Sequence, residues 1–452
     1  MKRHGSIALA AVLGSLVPAT WAQAGGRAEA AADQPQTLTL ERAHELALRN
    51  HPNIAAADYR ALAADELFKQ ARSGLLPQLS LYGSAVRAQS ANTRILAGGI
   101  NNPSVLNRAA VGVGFSQLIT DFGRTSNLAA SSRLQASAED QNAQATREQV
   151  LLDVDRAYFA ALEAQAVENV AQQTADTRQL LLDRVSVLAQ NKLKSDLDVS
   201  FAHVALDDAK LLLQKAQNDY ASSMASLSTA LGLPQQQGYN LVERAAPADA
   251  LEADVSPLID QALHERPELA SLRDQRDAAL RLARSLRDAR LPTLSAVIDA
   301  GDAPSHDDRL PGNYAAGGIQ LSVPVFAGGY YSARQHEAEL RAKAAAETLR
   351  TAEDQVSRDV RIAWLNLNNA WQRLRTTEEL SRYAADAYQL ADARYRAGSS
   401  SIVELSQAQL QLTAAQIGAA NARYDVLMQQ SELNYETGEL GGAAVERPRT
   451  GP

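Results

Sequence analysis

The side chains able to do chemistry in this chain are scattered. Seven histidines are dispersed through 452 residues and there is no cysteine. No histidine stands at metal-ligand spacing from another. His306-Asp307-Asp308 could offer oxygens to a hard cation, but it lies in a predicted loop, where solvated charge is the ordinary explanation. The carboxylates are spread along charged helical stretches, where i,i+4 pairing accounts for them. Nothing resembles a nucleophile with its base, and nothing in the chain binds nucleotide. The sequence therefore reads as a non-enzyme without a cofactor or a resident metal. Polar and titratable residues do collect at two breaks between long regular stretches. One is Lys192-Leu193-Lys194-Ser195 with Asp198, the other Gly398-Ser399-Ser400-Ser401 with Glu404 and Gln407. What these breaks can do depends on the elements that carry them.

Residues 1–24 read as a signal peptide: Lys2 and Arg3, an apolar stretch from Ile7 to Leu16, and a small-residue cleavage site at Ala22-Gln23-Ala24. Removing them takes away two basic residues and no acidic one, which moves the net charge from −8 to −10. An acidic chain with dispersed basic residues is not a nucleic-acid binder. Without cysteine, the exported chain has no disulfide framework and no thiol to carry a lipid. Beyond the signal no run of 18 apolar residues exists, so a transmembrane helix is not expected, whereas alternating β-barrel strands remain open.

The chain repeats itself. Ala47-Leu48-Arg49-Asn50-His51-Pro52 returns as Ala262-Leu263-His264-Glu265-Arg266-Pro267, and Leu76-Pro77-Gln78-Leu79-Ser80 as Leu291-Pro292-Thr293-Leu294-Ser295, both at an offset of 215. From Gly123 and Gly329 onward the offset is 206, carrying Asp153-Val154 onto Asp359-Val360 and Gly232 onto Gly438. The difference of nine is one shorter loop in the second copy. The expected organisation is repeat one over 25–234, a linker over 235–260, repeat two over 261–438 and a tail over 439–452.

Each copy reads as helix, strand, strand, long helix, return helix. The strands are expected at about 78–90 and 109–119, then at about 293–299 and 315–326, separated by polar loops at Ala91 to Arg108 and Asp299 to Asn313. Pro324 marks a strand end or irregularity. Proline- and glycine-free runs of 68 residues follow Gly123 and Gly329, predicting helices over 124–191 and 330–397 that would each span ~100 Å. Return helices are expected over 196–231 and 402–437. Four strands cannot close an open barrel, and an unclosed sheet cannot sit in lipid. Either two soluble hairpins cap a helical rod, or three chains pool twelve strands.

These landmarks resemble the TolC family of outer-membrane efflux and type I secretion proteins from Leu38 to Gly438. The pieces that carry the likeness are Leu38-Thr39-Leu40-Glu41-Arg42-Ala43 with Asn50-His51-Pro52, and the two Leu-Pro-x-Leu-Ser starts. Leu321-Ser322-Val323-Pro324-Val325-Phe326-Ala327-Gly328-Gly329 and Arg394-Tyr395-Arg396-Ala397-Gly398 with Ile402-Val403-Glu404-Leu405 complete it. The resemblance implies an α+β membrane protein of two tandem repeats: a homotrimer whose 12-stranded β-barrel, four strands per chain, sits in outer-membrane lipid. A long α-helical barrel would continue it through the periplasm. The implied function is a passive exit duct working with a periplasmic adaptor protein and an inner-membrane pump or ABC transporter. Cargo stays open among drugs, metal ions and polypeptides, and a non-conducting coiled-coil protein of the envelope is the competing reading. By the same resemblance the two breaks form the periplasmic tip that docks the adaptor. Asp198 would accept a latch hydrogen bond from Tyr395, and Glu404 would line an acidic pore constriction. The chain departs from the family's pattern at three points. Lys192 replaces the first turn glycine, Gln407 replaces a second ring acid, and Ser400 stands where the family has a latch arginine.

Overall fold

The computed structural model describes residues 36–87, 107–234, 238–243, 254–305 and 312–441. The expected signal peptide, residues 91–106 of the expected loop over 91–108, His306-Asp307-Asp308 and the end of the tail lie outside the described residues. The first copy comprises β1 (Gln36–Leu38), α1 (Leu40–Asn50), α2 (Pro52–Ser73), β2 (Gln78–Arg87), β3 (Asn107–Thr120), α3 (Arg124–Gln190) and α4 (Asp196–Ala230). The second comprises β4 (Tyr239–Leu241), α5 (Ser256–Glu265), α6 (Pro267–Asp288), β5 (Thr293–Ser305), β6 (Asn313–Ser322), α7 (Tyr330–Arg396) and α8 (Ile402–Thr437).

Helices α3 and α7 are 67 residues each, ~100 Å of unbroken helix. Two shorter helices pack along each of them, α2 and α4 on α3, and α6 and α8 on α7, while α6 and α8 also touch α3. The break before α2 falls at His51-Pro52 and the break before α6 at Arg266-Pro267, because a residue preceding proline is driven from helical to extended backbone. One apolar cluster lies at mid-α3, where Val154, Tyr158 and Leu162 meet Leu38, Ala43 and Leu227. Its counterpart at mid-α7 joins Val360, Leu367 and Leu433 to Leu269. A third, at the far end, gathers Leu182, Val185, Leu206, Tyr395, Ile402 and Leu405. Among the described residues no helix is long and apolar enough to cross a membrane.

The antiparallel sheet runs β2-β3-β5-β6, leaving the outer edges of β2 and β6 unpaired among the described residues. Register puts Leu81, Val113, Ala300 and Ala315 in one row, and Tyr82, Gly112, Gly301 and Tyr314 in the next. Side chains alternate between faces, so one face carries Leu79, Leu81, Val113, Ile298, Ile319 and Leu321, all exposed in the single chain. The opposite face carries Ser80, Tyr82, Asp299, Tyr314 and four glycines, at 112, 114, 301 and 318.

The strands depart from the sequence expectation in three ways. First, β5 runs on to Ser305 rather than stopping near 299, and β6 begins at Asn313. Gly301 and Asp302 are held in the ladder by backbone bonds to β3 and β6, which do not depend on apolar side chains. Second, β6 ends at Ser322, not near 326. Pro324 has no N–H to give, and Val325 and Phe326 stand 90% and 88% exposed. Third, the chain holds more than four strands: β1 and β4 form a small parallel pair, Gln36 opposite Tyr239. The segment expected as a linker over 235–260 thus contains a strand and the start of α5. Three-residue strands carry no periodicity that a sequence reading can detect. Tyr158 secures this pair, its hydroxyl lying 2.8 Å from the carbonyls of Leu38 and Val242 and accepting from the Val242 N–H at 3.1 Å.

Candidate functional site

The two helical turns have the same backbone construction with different residues. After α3, the Lys192 N–H donates to the Ala189 carbonyl at 2.8 Å and the Leu193 N–H to Leu188 at 2.9 Å. After α7, the Gly398 N–H donates to Tyr395 at 3.1 Å and the Ser399 N–H to Arg394 at 2.9 Å. Both are the paired carbonyl caps that end a helix through a left-handed residue, with φ of 59° at Lys192 and 73° at Gly398. Glycine adopts that conformation freely, whereas a lysine there pays for its Cβ. A serine then opens each return helix. Ser195 Oγ accepts from the Asp198 N–H at 3.1 Å, and Ser401 Oγ from the Glu404 N–H at 3.3 Å.

The acids that follow differ in their commitments. Asp198 folds back on its own cap, Oδ2 accepting from the Ser195 N–H at 3.1 Å and from Ser195 Oγ at 3.0 Å. Glu404, one methylene longer, instead reaches Arg394 Nη1 at 2.8 Å. The first copy has Leu188 at the position aligned with Arg394, so no such pair can form there.

Tyr395 is 3% exposed within the apolar cluster at this end, and its hydroxyl has no hydrogen-bond partner among the described residues. Lys194 Nζ lies over its ring, 4.2 Å from the centroid. Burial, and then the Asp198 charge, push the Tyr395 pKa up. The structure therefore brings Tyr395 and Asp198 into the same neighbourhood without joining them. Oδ2 of the aspartate is engaged by Ser195, and among the described residues the tyrosine hydroxyl is left unpaired, as is buried Ser400 Oγ. The last of the expected residues, Gln407, lines a cleft of about 420 Å³ between α4 and α8, together with Phe201, Asp208, Val403 and Ser406.

Sequence reading missed Arg178 on the floor of that cleft. The guanidinium is buried, donates to Ser406 Oγ and the Ser406 carbonyl at 3.2 Å each, and has its pKa lowered by burial. It also missed a charged network at the middle of the long helices. Buried Arg266 reaches Glu436 at 2.5 Å and Glu268 at 3.3 Å, and the Tyr435 hydroxyl donates to Glu268 at 3.3 Å. Burial pushes the Glu436 pKa up against the pull of Arg266. Nearby Glu148 is 4% exposed, accepts from Gln144 Nε2 at 3.1 Å, and is pushed up to about 7 by burial. The available signal was helical spacing: Glu148 stands three and four residues before Leu151 and Leu152, on the face that they bury. Among the described residues no group of histidines and carboxylates is placed to hold a metal ion.

Comparison with known proteins agrees with this architecture. The family described as outer membrane efflux protein matches residues 43–233 and 258–439, one block on each side of the β4 region. TolC of Vibrio cholerae is 25% identical, over 97% of this chain and 96% of its own length. The alkaline protease secretion protein AprF of Pseudomonas aeruginosa is 25% identical, over 90% of this chain and 86% of its own. The crystal structure of VceC, an outer membrane protein of Vibrio cholerae, superposes with a TM-score of 0.74, covering 88% of this chain and 96% of that one at 18% identity.

Proposed function

The chain belongs to the outer membrane efflux protein family, which is not a family of enzymes, and on that premise we propose that it is the homotrimeric exit duct of an efflux pump or a type I secretion system. The four-stranded sheet carries this reading. Its exposed face is mainly apolar, its opposite face is mainly polar or small, and among the described residues each of its two outer edges lacks a partner. Unpaired strand edges are untenable in lipid. Three copies pairing β2 of one chain with β6 of the next supply twelve strands and no edge, with the apolar face toward lipid and the glycine face toward a lumen. The helices, ~100 Å long and polar enough to live in water, then continue the wall of the duct through the periplasm.

The two turns form the periplasmic end of this assembly. Glu404 supplies an acidic ring whose field Arg394 reduces, and Gln407 adds no charge to it. Lys192, Leu193, Lys194 and Ser195, with Gly398 through Ser401, present the surface that an adaptor protein meets. The adaptor in turn links the duct to an inner-membrane pump or ABC transporter, which provides the energy. Asp198 and Tyr395 stay unlinked in the single chain, and a latch between them would use Asp198 Oδ1, which stands outside the Ser195 cap.

The test is reconstitution. Outer-membrane fractions should yield heat-modifiable trimers that conduct in planar bilayers, and Glu404→Ala should lower their cation preference. Trimers that never conduct under any applied potential would sink the duct in favour of a structural envelope protein. Unchanged selectivity in Glu404→Ala would remove the ring alone.

A further inference from the structure

One row of the sheet holds a feature that the duct's closure does not require. Tyr82 on β2 and Tyr314 on β6 stand at the two outer strands of the chain's sheet, with Gly112 and Gly301 between them in the same row. Three inter-strand gaps, ~14 Å, separate the two backbones, yet the hydroxyls are 2.9 Å apart, one donating to the other. To meet, both side chains must lie down across the intervening strands rather than stand away from the sheet. The glycines make room for this. A Cβ on Gly112 would fall 2.4 Å from Tyr314 Oη and 2.9 Å from Tyr82 Oη, and one on Gly301 would fall 2.5 Å from Tyr314 Oη. Both tyrosines are half-buried against the sheet, so the outward side of each ring remains open.

In the adjacent row Asp299 lies beside this pad. Its Oδ1 comes within 3.1 Å of where a Gly114 Cβ would stand, and Tyr82 Cε1 within 3.6 Å of the same point. Among the described residues Asp299 has no ion pair.

The geometry points to a binding belt for aromatic organic cations on the inner wall of the barrel, a deduction that rests on the duct reading above. Each chain's pad crosses all four of its strands, so three copies set six tyrosine rings around the wall with one carboxylate per chain. The negative face of a phenol ring attracts a cation, and its edges and faces stack against another ring. A cargo bearing both a ring and a positive charge therefore gains from stacking and from charge, whereas an aliphatic cation gains from charge alone, through the ring faces and Asp299, and an anion is disfavoured. Because the rings lie flat, the belt recognises cargo without narrowing the passage.

The probe is benzyltrimethylammonium, with tetramethylammonium as the ring-free control, applied to the external side of trimers in planar bilayers. Blocked dwell times should be on the order of tenfold longer for the aryl cation, the upper scale of a ring–ring contact. Tyr82→Ser with Tyr314→Ser should abolish that ratio, shortening the aryl cation's dwell more than that of tetramethylammonium. Tyr82→Phe with Tyr314→Phe should largely keep it, and Asp299→Asn should shorten both dwell times. Equilibrium binding of a fluorescent aryl ammonium to detergent-purified trimers reads the same belt without conduction and keeps the test open for a closed duct. Aryl dwell and affinity unaltered by the double serine variant, in trimers that assemble normally, overturn this inference and leave the duct reading intact. Absence of trimers in the wild type overturns both.

Discussion

Replacing Glu148 by glutamine should raise stability above neutral pH and leave it unchanged in acid. The carboxyl is buried on α3 with a single hydrogen-bond donor, Gln144, while Glu268 repels its charge and Arg266 partly offsets it. Burial, the largest cause, moves its pKa from the ordinary 4.5 to about 7. The native state prefers the protonated acid. Its contribution is therefore fully present below pH 4.5, is lost as pH rises through about 7, and stays absent above that. At about 1.4 kcal/mol per pH unit, the interval corresponds to ~3 kcal/mol for each chain. Glutamine keeps the size and can still accept from Gln144, but it never has to carry a buried charge. Thermal unfolding of the detergent-solubilised protein, followed by helical circular dichroism between pH 4.5 and 8.5, should show midpoints of the two proteins coinciding at the acid end. They should diverge through neutrality, with the variant higher. Parallel curves across the whole range would refute the claim that this carboxyl is held protonated by burial.

Lys192→Gly removes a Cβ from a left-handed residue and should stabilise the first turn by ~1 kcal/mol, while Gly398→Ala should cost about as much at the second. Cleavage rates of the folded protein at each turn under limited proteolysis read both. Tyr158→Phe deletes the hydroxyl that faces the Leu38 and Val242 carbonyls and the Val242 N–H. It should cost ~1–3 kcal/mol and speed hydrogen exchange in β1 and β4, with little effect on the ends of α3.

The long helices were legible because nothing interrupts them: no proline or glycine lies within residues 124–191 or 330–397, and serine caps open both return helices at the same offset. The strands were legible where apolar and small residues alternate, as at Val111 to Phe115. They were not legible where the ladder runs through Ala300, Gly301 and Asp302, since backbone bonds are indifferent to the side chains hung on them. At the turns, sequence spacing located Ser195, Asp198, Tyr395, Ser401 and Glu404, yet it could not say what each carboxylate touches. An aspartate closes a cap on its own serine, and a glutamate with an arginine at the preceding helix end turns outward to it.

The sequence by itself determined the duplication, the order of elements and the positions where helices start and stop. These follow from local rules about proline, glycine, caps and the period of apolar residues. Tertiary structure alone decided which distant groups meet. Arg266 finds Glu436 across 170 residues, and Tyr82 finds Tyr314 across 232. Such meetings depend on helix crossings and strand register, set by packing across the whole chain. Local periodicity fixes which face a residue occupies but not what stands opposite it.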